Sequence, residues 1–158
     1  MEKAQQAGYI VRARLSPIIP VQDWRNEYTE LFEYLFACVQ PDLVTLELLG
    51  WMDYQDLNSI FNIDLLNPAV VKSAEQAANE LKNIPWGPFT EEVHEEIYRF
   101  CIETIQRISP KTPISICHGT DRVWTLLGSM MNMRPDNYLC NCGPDTAPGA
   151  LLYHHWHP

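Results

Sequence analysis

The chain has 158 residues, with 20 Asp and Glu against 11 Lys and Arg, and a formal net charge of −9. That balance excludes broad electrostatic attraction to nucleic acid, because neutralising phosphates takes clustered Lys and Arg. The composition, 46% hydrophobic and 20% charged, is globular; no run reaches the roughly 18 apolar residues of a membrane span, and the first residues are not a signal peptide, so a cytoplasmic protein is expected.

Met1 to Ala7 are strong helix formers, and Gly8 stands where a helix ends in the left-handed conformation that glycine takes without strain. Tyr9 to Leu15 reads as the first strand, with Arg12 and Arg14 alternating and Ser16-Pro17 closing it where the backbone loses a donor. Asp23 is placed to cap a helix reaching Val39, since Tyr28, Leu31, Phe32, Leu35, Phe36 and Val39 recur at helical spacing. Leu43 to Leu49 is a nearly continuous aliphatic run, as expected of a parallel strand covered on both faces, and only Glu47 interrupts it.

Asp53 can cap a short helix through Leu57, Ile60 and Phe61, and Asn67-Pro68 opens another that is expected to reach about Lys82. The loop Asn83 to Phe89 breaks the pattern. A helix from Thr90 carries Val93, Ile97, Phe100, Cys101, Ile105 and Ile108 on one stripe and leads into a third strand, Pro113 to Cys117. Thr120 or Asp121 caps a last short helix with Val123, Trp124, Leu126 and Leu127.

The order helix end, β, α, β, α, α, α, β, α is that of half a β/α barrel or half a doubly wound sheet, and the half barrel is the favoured α/β reading, about three parallel strands flanked by helices. The chain opens inside an element, and open parallel edges imply a missing partner, either more of the same polypeptide or another chain. Self-association through the edge is the corresponding expectation.

Several strings carry a resemblance. Arg14-Leu15-Ser16-Pro17-Ile18-Ile19-Pro20, then Trp24, Tyr28 and Leu31-Phe32, then Pro41-Asp42-Leu43-Val44-Thr45-Leu46-Glu47 and Gly50, resemble the C-terminal half of the spore photoproduct lyase-like radical S-adenosylmethionine (SAM) proteins. Glu96-Ile97-Tyr98-Arg99-Phe100, Ile116-Cys117, Val123-Trp124 and Cys140-Asn141-Cys142 are similar to the same family, so the resemblance covers about Gly8 to Cys142. It implies a partial β/α barrel holding a [4Fe-4S] cluster and SAM. Reductive cleavage of SAM then gives a radical that abstracts hydrogen from a substrate.

In that family the cluster ligands lie in a Cys-x3-Cys-x2-Cys loop in the first half of the barrel, and Cys38, Cys101, Cys117, Cys140 and Cys142 have no such spacing. The hydrogen-donor cysteine that follows that loop in the DNA-repair members is likewise missing here. The resemblance therefore implies SAM and [4Fe-4S] for a complete member, and this chain as a portion not competent alone. DNA is the substrate of the best-known member, which the acidic charge here does not favour.

Arg14 and Ser16 share a face of the first strand, because side chains two apart point the same way. Two readings stay open for them. Arg14 could offer its planar fork to the SAM carboxylate, with Ser16 as a short donor and acceptor and Glu47 accepting from a ribose or amino group; or Arg14 and Glu47 form a structural ion pair. Cys117 and His118 close the third strand at the same end, as a nucleophile or hydrogen donor or as a packed small hydrophobe and its neighbour. Trp24, Trp51 and Trp124 are read as core anchors, with stacking on an adenine or base as the alternative.

Cys140, Cys142, His154, His155 and His157 are metal-ligand types, although Cys-x-Cys is tighter than the usual zinc spacing. The pair is too close for an ordinary disulfide, and reduced thiols are the simpler expectation. Residues 143–158 read as a flexible tail. Two function classes remain: the cofactor- and substrate-facing half of a radical SAM enzyme, and a non-catalytic α/β module that docks on a partner.

Overall fold

The computed structural model describes residues 1–82, 84 and 86–131. The tail 143–158 and the metal candidates Cys140, Cys142, His154, His155 and His157 lie outside them. Three strands, β1 (Ala13–Ile18), β2 (Val44–Leu48) and β3 (Ile114–Cys117), form a parallel sheet in the order β1-β2-β3. Helices α1 (Glu2–Gln6), α2 (Trp24–Cys38), α3 (Tyr54–Ile60), α4 (Pro68–Gln76), α5 (Glu91–Ile108) and α6 (Asp121–Leu127) accompany it. The mixed α/β fold with its three-stranded parallel sheet is as expected.

The helix ends follow the sequence signals. Gly8 has φ +87°, and the α1 terminus closes with Tyr9 N–H donating to the Ala4 carbonyl and Gly8 N–H to that of Gln5, the pairing a left-handed glycine permits. Asp53 accepts from the backbone N–H of Gln55 and Asp56 while Asp56 reaches back to the Asp53 N–H, a complete capping box. Asn67 accepts from Ala69 and Val70 with Pro68 beside it, and Thr120 from Val123. Asp23 precedes α2 as expected, but Asn26 Nδ2 donates to both of its carboxylate oxygens and its side chain bonds no backbone N–H.

Two elements differ from expectation by more than one residue. Strand β1 begins at Ala13 and runs through Ser16-Pro17 instead of stopping there. Proline is tolerated because β1 lies at one end of the three-stranded sheet and its register against β2 shifts between Leu15 and Ile18, so the missing N–H falls where the ladder is interrupted. Helix α4 stops at Gln76, and the chain continues to Lys82 in turns that keep Ala77 and Leu81 buried.

Register and the two-residue period of a strand then decide the faces. Ala13 pairs with Val44 and Val44 with Ile114; Leu15 with Leu46 and Leu46 with Ile116. These side chains share a face, and Ala13, Val44, Leu46, Leu48, Ile114 and Ile116 join one core with Trp24 and Phe32 of α2 and Ile97, Cys101, Ile102 and Ile105 of α5. The alternate positions, Arg14, Ser16, Thr45, Glu47, Ser115 and Cys117, form the opposite face, and all six are polar or thiol-bearing.

His94 of α5 is a buried titratable group of the core, only 1% exposed. Its Nε2 donates to the Trp86 carbonyl at 2.9 Å, and Nδ1 has no hydrogen-bond partner among the described residues. Burial pushes its pKa down to about 4, against the smaller upward pull of the Trp86 carbonyl. The unfolded chain takes up this proton below about pH 6.5 while the folded one refuses it, so the contribution is complete above that pH and is lost on acidification toward about 4, by about 3 kcal/mol. Urea denaturation of the wild type across that window should show the loss, and His94→Gln, which keeps a donor for Trp86, should show a flatter profile; equal slopes would remove His94 as the cause.

Candidate functional site

The polar face gathers its chemistry at the C-terminal ends of the strands, the end where β/α folds place working residues. Glu47 and Cys117 are register partners on β2 and β3, Ser16 lies at the corresponding level of β1, and Arg14 is one step back, beside Thr45. The buried Thr45 and Ser115 hydroxyls are hydrogen-bonded to each other at 2.9 Å beneath this level.

Glu47 is the hub. Arg14 Nη2 and Ser16 Oγ both donate to its Oε2, and His118 Nδ1 lies 3.1 Å from Oε1. The Arg14 guanidinium also reaches Cys117 Sγ at 3.9 Å. Burial pushes the Glu47 carboxyl up, but the hydrogen bonds from Arg14 and Ser16, with the charge of Arg14 and His118, outweigh it and hold the group below the usual carboxylate range. The side chain is 12% exposed, which leaves its acidity governed by these neighbours.

All five candidate residues on the strands are thus brought together: Arg14, Ser16, Glu47, Cys117 and His118. The Arg14–Glu47 ion pair is present, so a ligand carboxylate approaching Arg14 meets a guanidinium already engaged. Glu47 O, Cys117 Sγ and a His118 ring nitrogen lie within 4.8 Å of one another.

The three tryptophans divide. Trp24 is 2% exposed in the core, as expected, and Trp124 packs partly buried against it. Trp51 corrects the reading of all three as core anchors: it is 66% exposed, with its ring edge-on to His118 at a centroid distance of 5.0 Å. The reason is local, because the chain has left β2 at Leu48 and bends at Leu49 and again at Trp51 itself. Trp51 and His118 each follow a strand and each hold a left-handed backbone, φ +61° and +56°, uncommon for residues with a Cβ. Gly119 completes the second turn; a Cβ there would stand 2.9 Å from Trp124 Nε1.

Tyr98 of α5 braces the strand ends from the apolar side. Its buried hydroxyl accepts from Leu48 N–H at 2.9 Å and donates to the Cys117 carbonyl at 3.0 Å, tying together the residues that follow and carry the site. Nothing in the helical stripe marked it, since a tyrosine within an apolar helix reads as core. No helix among the described residues is long and apolar enough to cross a membrane.

Tyr98→Phe leaves a backbone donor and a backbone acceptor without this partner in a dry environment. The expected loss is roughly 2–3 kcal/mol in urea denaturation, and a loss under half a kcal/mol would show that the hydroxyl does not tie β2 to β3. Comparison of the chain with protein-family models, with curated proteins and with solved structures finds no match in any of the three.

Proposed function

We propose that this chain is the cofactor- and substrate-facing C-terminal portion of a radical SAM protein of the spore photoproduct lyase-like type, its sheet forming part of a β/α barrel. The observation that carries the reading is the convergence of Arg14, Ser16, Glu47, Cys117 and His118 at the C-terminal ends of three sequentially ordered parallel strands. Sequential order lets successive right-handed crossovers put their helices on one side of the sheet, as in a barrel. A doubly wound sheet instead reverses strand order and covers both faces.

The residues fit one of the two groups the family uses. For SAM, Arg14 supplies a planar fork for a carboxylate, Ser16 a hydroxyl, Glu47 an acceptor for an amino or ribose group, and Trp51 an exposed indole against which an adenine can stack. Binding exchanges the Glu47 carboxylate for the ligand's on Arg14. When bound and reduced, SAM supplies the radical chemistry of the family.

The described cysteines do not fit a [4Fe-4S] cluster. Cys38 ends α2, Cys101 lies inside the core with its thiol pushed up to about 12 by burial, and Cys117 ends β3. The sequence holds no Cys-x3-Cys-x2-Cys. A cluster would come from another polypeptide segment, and this chain's part is to bind and orient.

Calorimetric titration with SAM tests the reading. The wild type should bind, and Arg14→Ala should weaken binding about 10- to 100-fold, the range set by losing a charge-assisted hydrogen-bonded pair. Trp51→Ala should weaken it by a smaller factor. A wild type that takes up no SAM, or an Arg14→Ala that binds as well as wild type, would leave the docking module as the better reading.

A further inference from the structure

The geometry points to a binding site for one zinc-type divalent ion, held by the Glu47 carboxylate, the Cys117 thiolate and a His118 ring nitrogen. This site does not rest on the SAM reading and stands or falls separately. Three ligand types from two strands and the turn after β3 lie within 4.8 Å of one another.

Metal–ligand bonds of about 2.0–2.3 Å set tetrahedral ligand atoms about 3.3–3.6 Å apart. The His118 Nδ1 and Glu47 Oε1 atoms already stand 3.1 Å apart, and the Cys117 sulfur lies within 4.8 Å of the other two ligand groups, so closure asks for a small adjustment of side chains already gathered. Thiolate with imidazole selects a borderline-soft ion over magnesium or calcium, which take oxygen ligands.

The neighbours of Glu47 are arranged as outer-shell partners are. Arg14 and Ser16 both bond Oε2, which fixes the carboxylate plane and leaves Oε1 turned toward His118. Arg14 Nη2 stands 3.9 Å from the sulfur and so places a positive charge beside the metal's thiolate ligand. The Glu47 carboxylate only accepts, so Nδ1–H donates to it in the ion-free site; on coordination that ring proton moves to Nε2 by tautomer exchange, the Cys117 thiol proton passes to solvent, and the carboxylate and thiolate charges balance those of the ion. The His118 side chain is 37% exposed, so a fourth position faces solvent, open to water or a ligand as in zinc sites that keep one position for chemistry.

The test uses the full 158-residue chain, reduced and stripped with chelator, titrated with Co2+ alone and then with Zn2+. One equivalent of cobalt should carry a thiolate charge-transfer band, be displaced by Zn2+ and vanish in Cys117→Ser, while persisting in the double variant Cys140→Ser/Cys142→Ser. Because Cys117 is buried, His118→Asn is the second probe: His118 is exposed, asparagine suits its left-handed backbone, and the affinity should fall about tenfold or more. Absence of a thiolate band in the wild type overturns the site. So does a band that survives Cys117→Ser and is lost in the double variant, or wild-type affinity in His118→Asn. A cobalt band in protein that fails to bind SAM would remove the cofactor reading alone.

Discussion

A single carboxylate, that of Glu47, joins the three strands at the end where their backbones leave the sheet. Arg14 and Ser16 of β1 bond one of its oxygens and His118, just past β3, faces the other. A carboxylate this covered by protein is costly unless it is hydrogen-bonded and paired. Here the donors outweigh burial and keep the group ionised below its usual range. The same bonds fix where Arg14, Ser16 and His118 point, so the site is built around the cost of covering one charge.

That arrangement depends on the opposite face of the sheet. The parallel register places Ala13, Val44 and Ile114 at one level and Leu46 and Ile116 at another, and the two-residue period sends them into the core with α2 and α5. Their neighbours along each strand are forced outward onto a single polar face. Tyr98 reaches the strand ends from the core side, where its hydroxyl accepts from Leu48 N–H and donates to the Cys117 carbonyl. Through Tyr98, α5 ties the end of β2 to the end of β3 beside the Glu47–Cys117 register pair. Beyond the strands, left-handed turns at Trp51 and His118 bring an indole edge-on to an imidazole beside the carboxylate.

Much of the fold was legible in the sequence because its signals are local. Gly8 marks a left-handed helix end, Asp53 and Asn67 with Pro68 mark starts, and the aliphatic runs around Val44 and Ile114 mark buried strands. Pro17 misled, because its effect depends on where the strand lies in the sheet and where its register shifts, which is tertiary information. Leu31 fell on the expected stripe of α2 but is 45% exposed, since periodicity gives a face and not its width. Among site residues, Arg14, Ser16, Glu47, Cys117 and His118 were visible as polar groups on or after strands. Trp51 was read first as a core anchor and only second as a stacking residue, because nothing in the sequence around it says that the chain turns to expose its ring beside His118. Tyr98 was hidden by the apolar stripe around it, and its role exists only once the strand ends are opposite it.

The most direct measurement is a carbon-13 NMR titration of the Glu47 side-chain carboxyl in metal-free protein, in the wild type and in Arg14→Ala. With the carboxylate as hub, the wild-type group titrates below the ordinary glutamate range and moves upward when Arg14 is removed. A carboxyl that titrates at or above that range, and is indifferent to Arg14, would contradict the organisation of the polar face around Glu47.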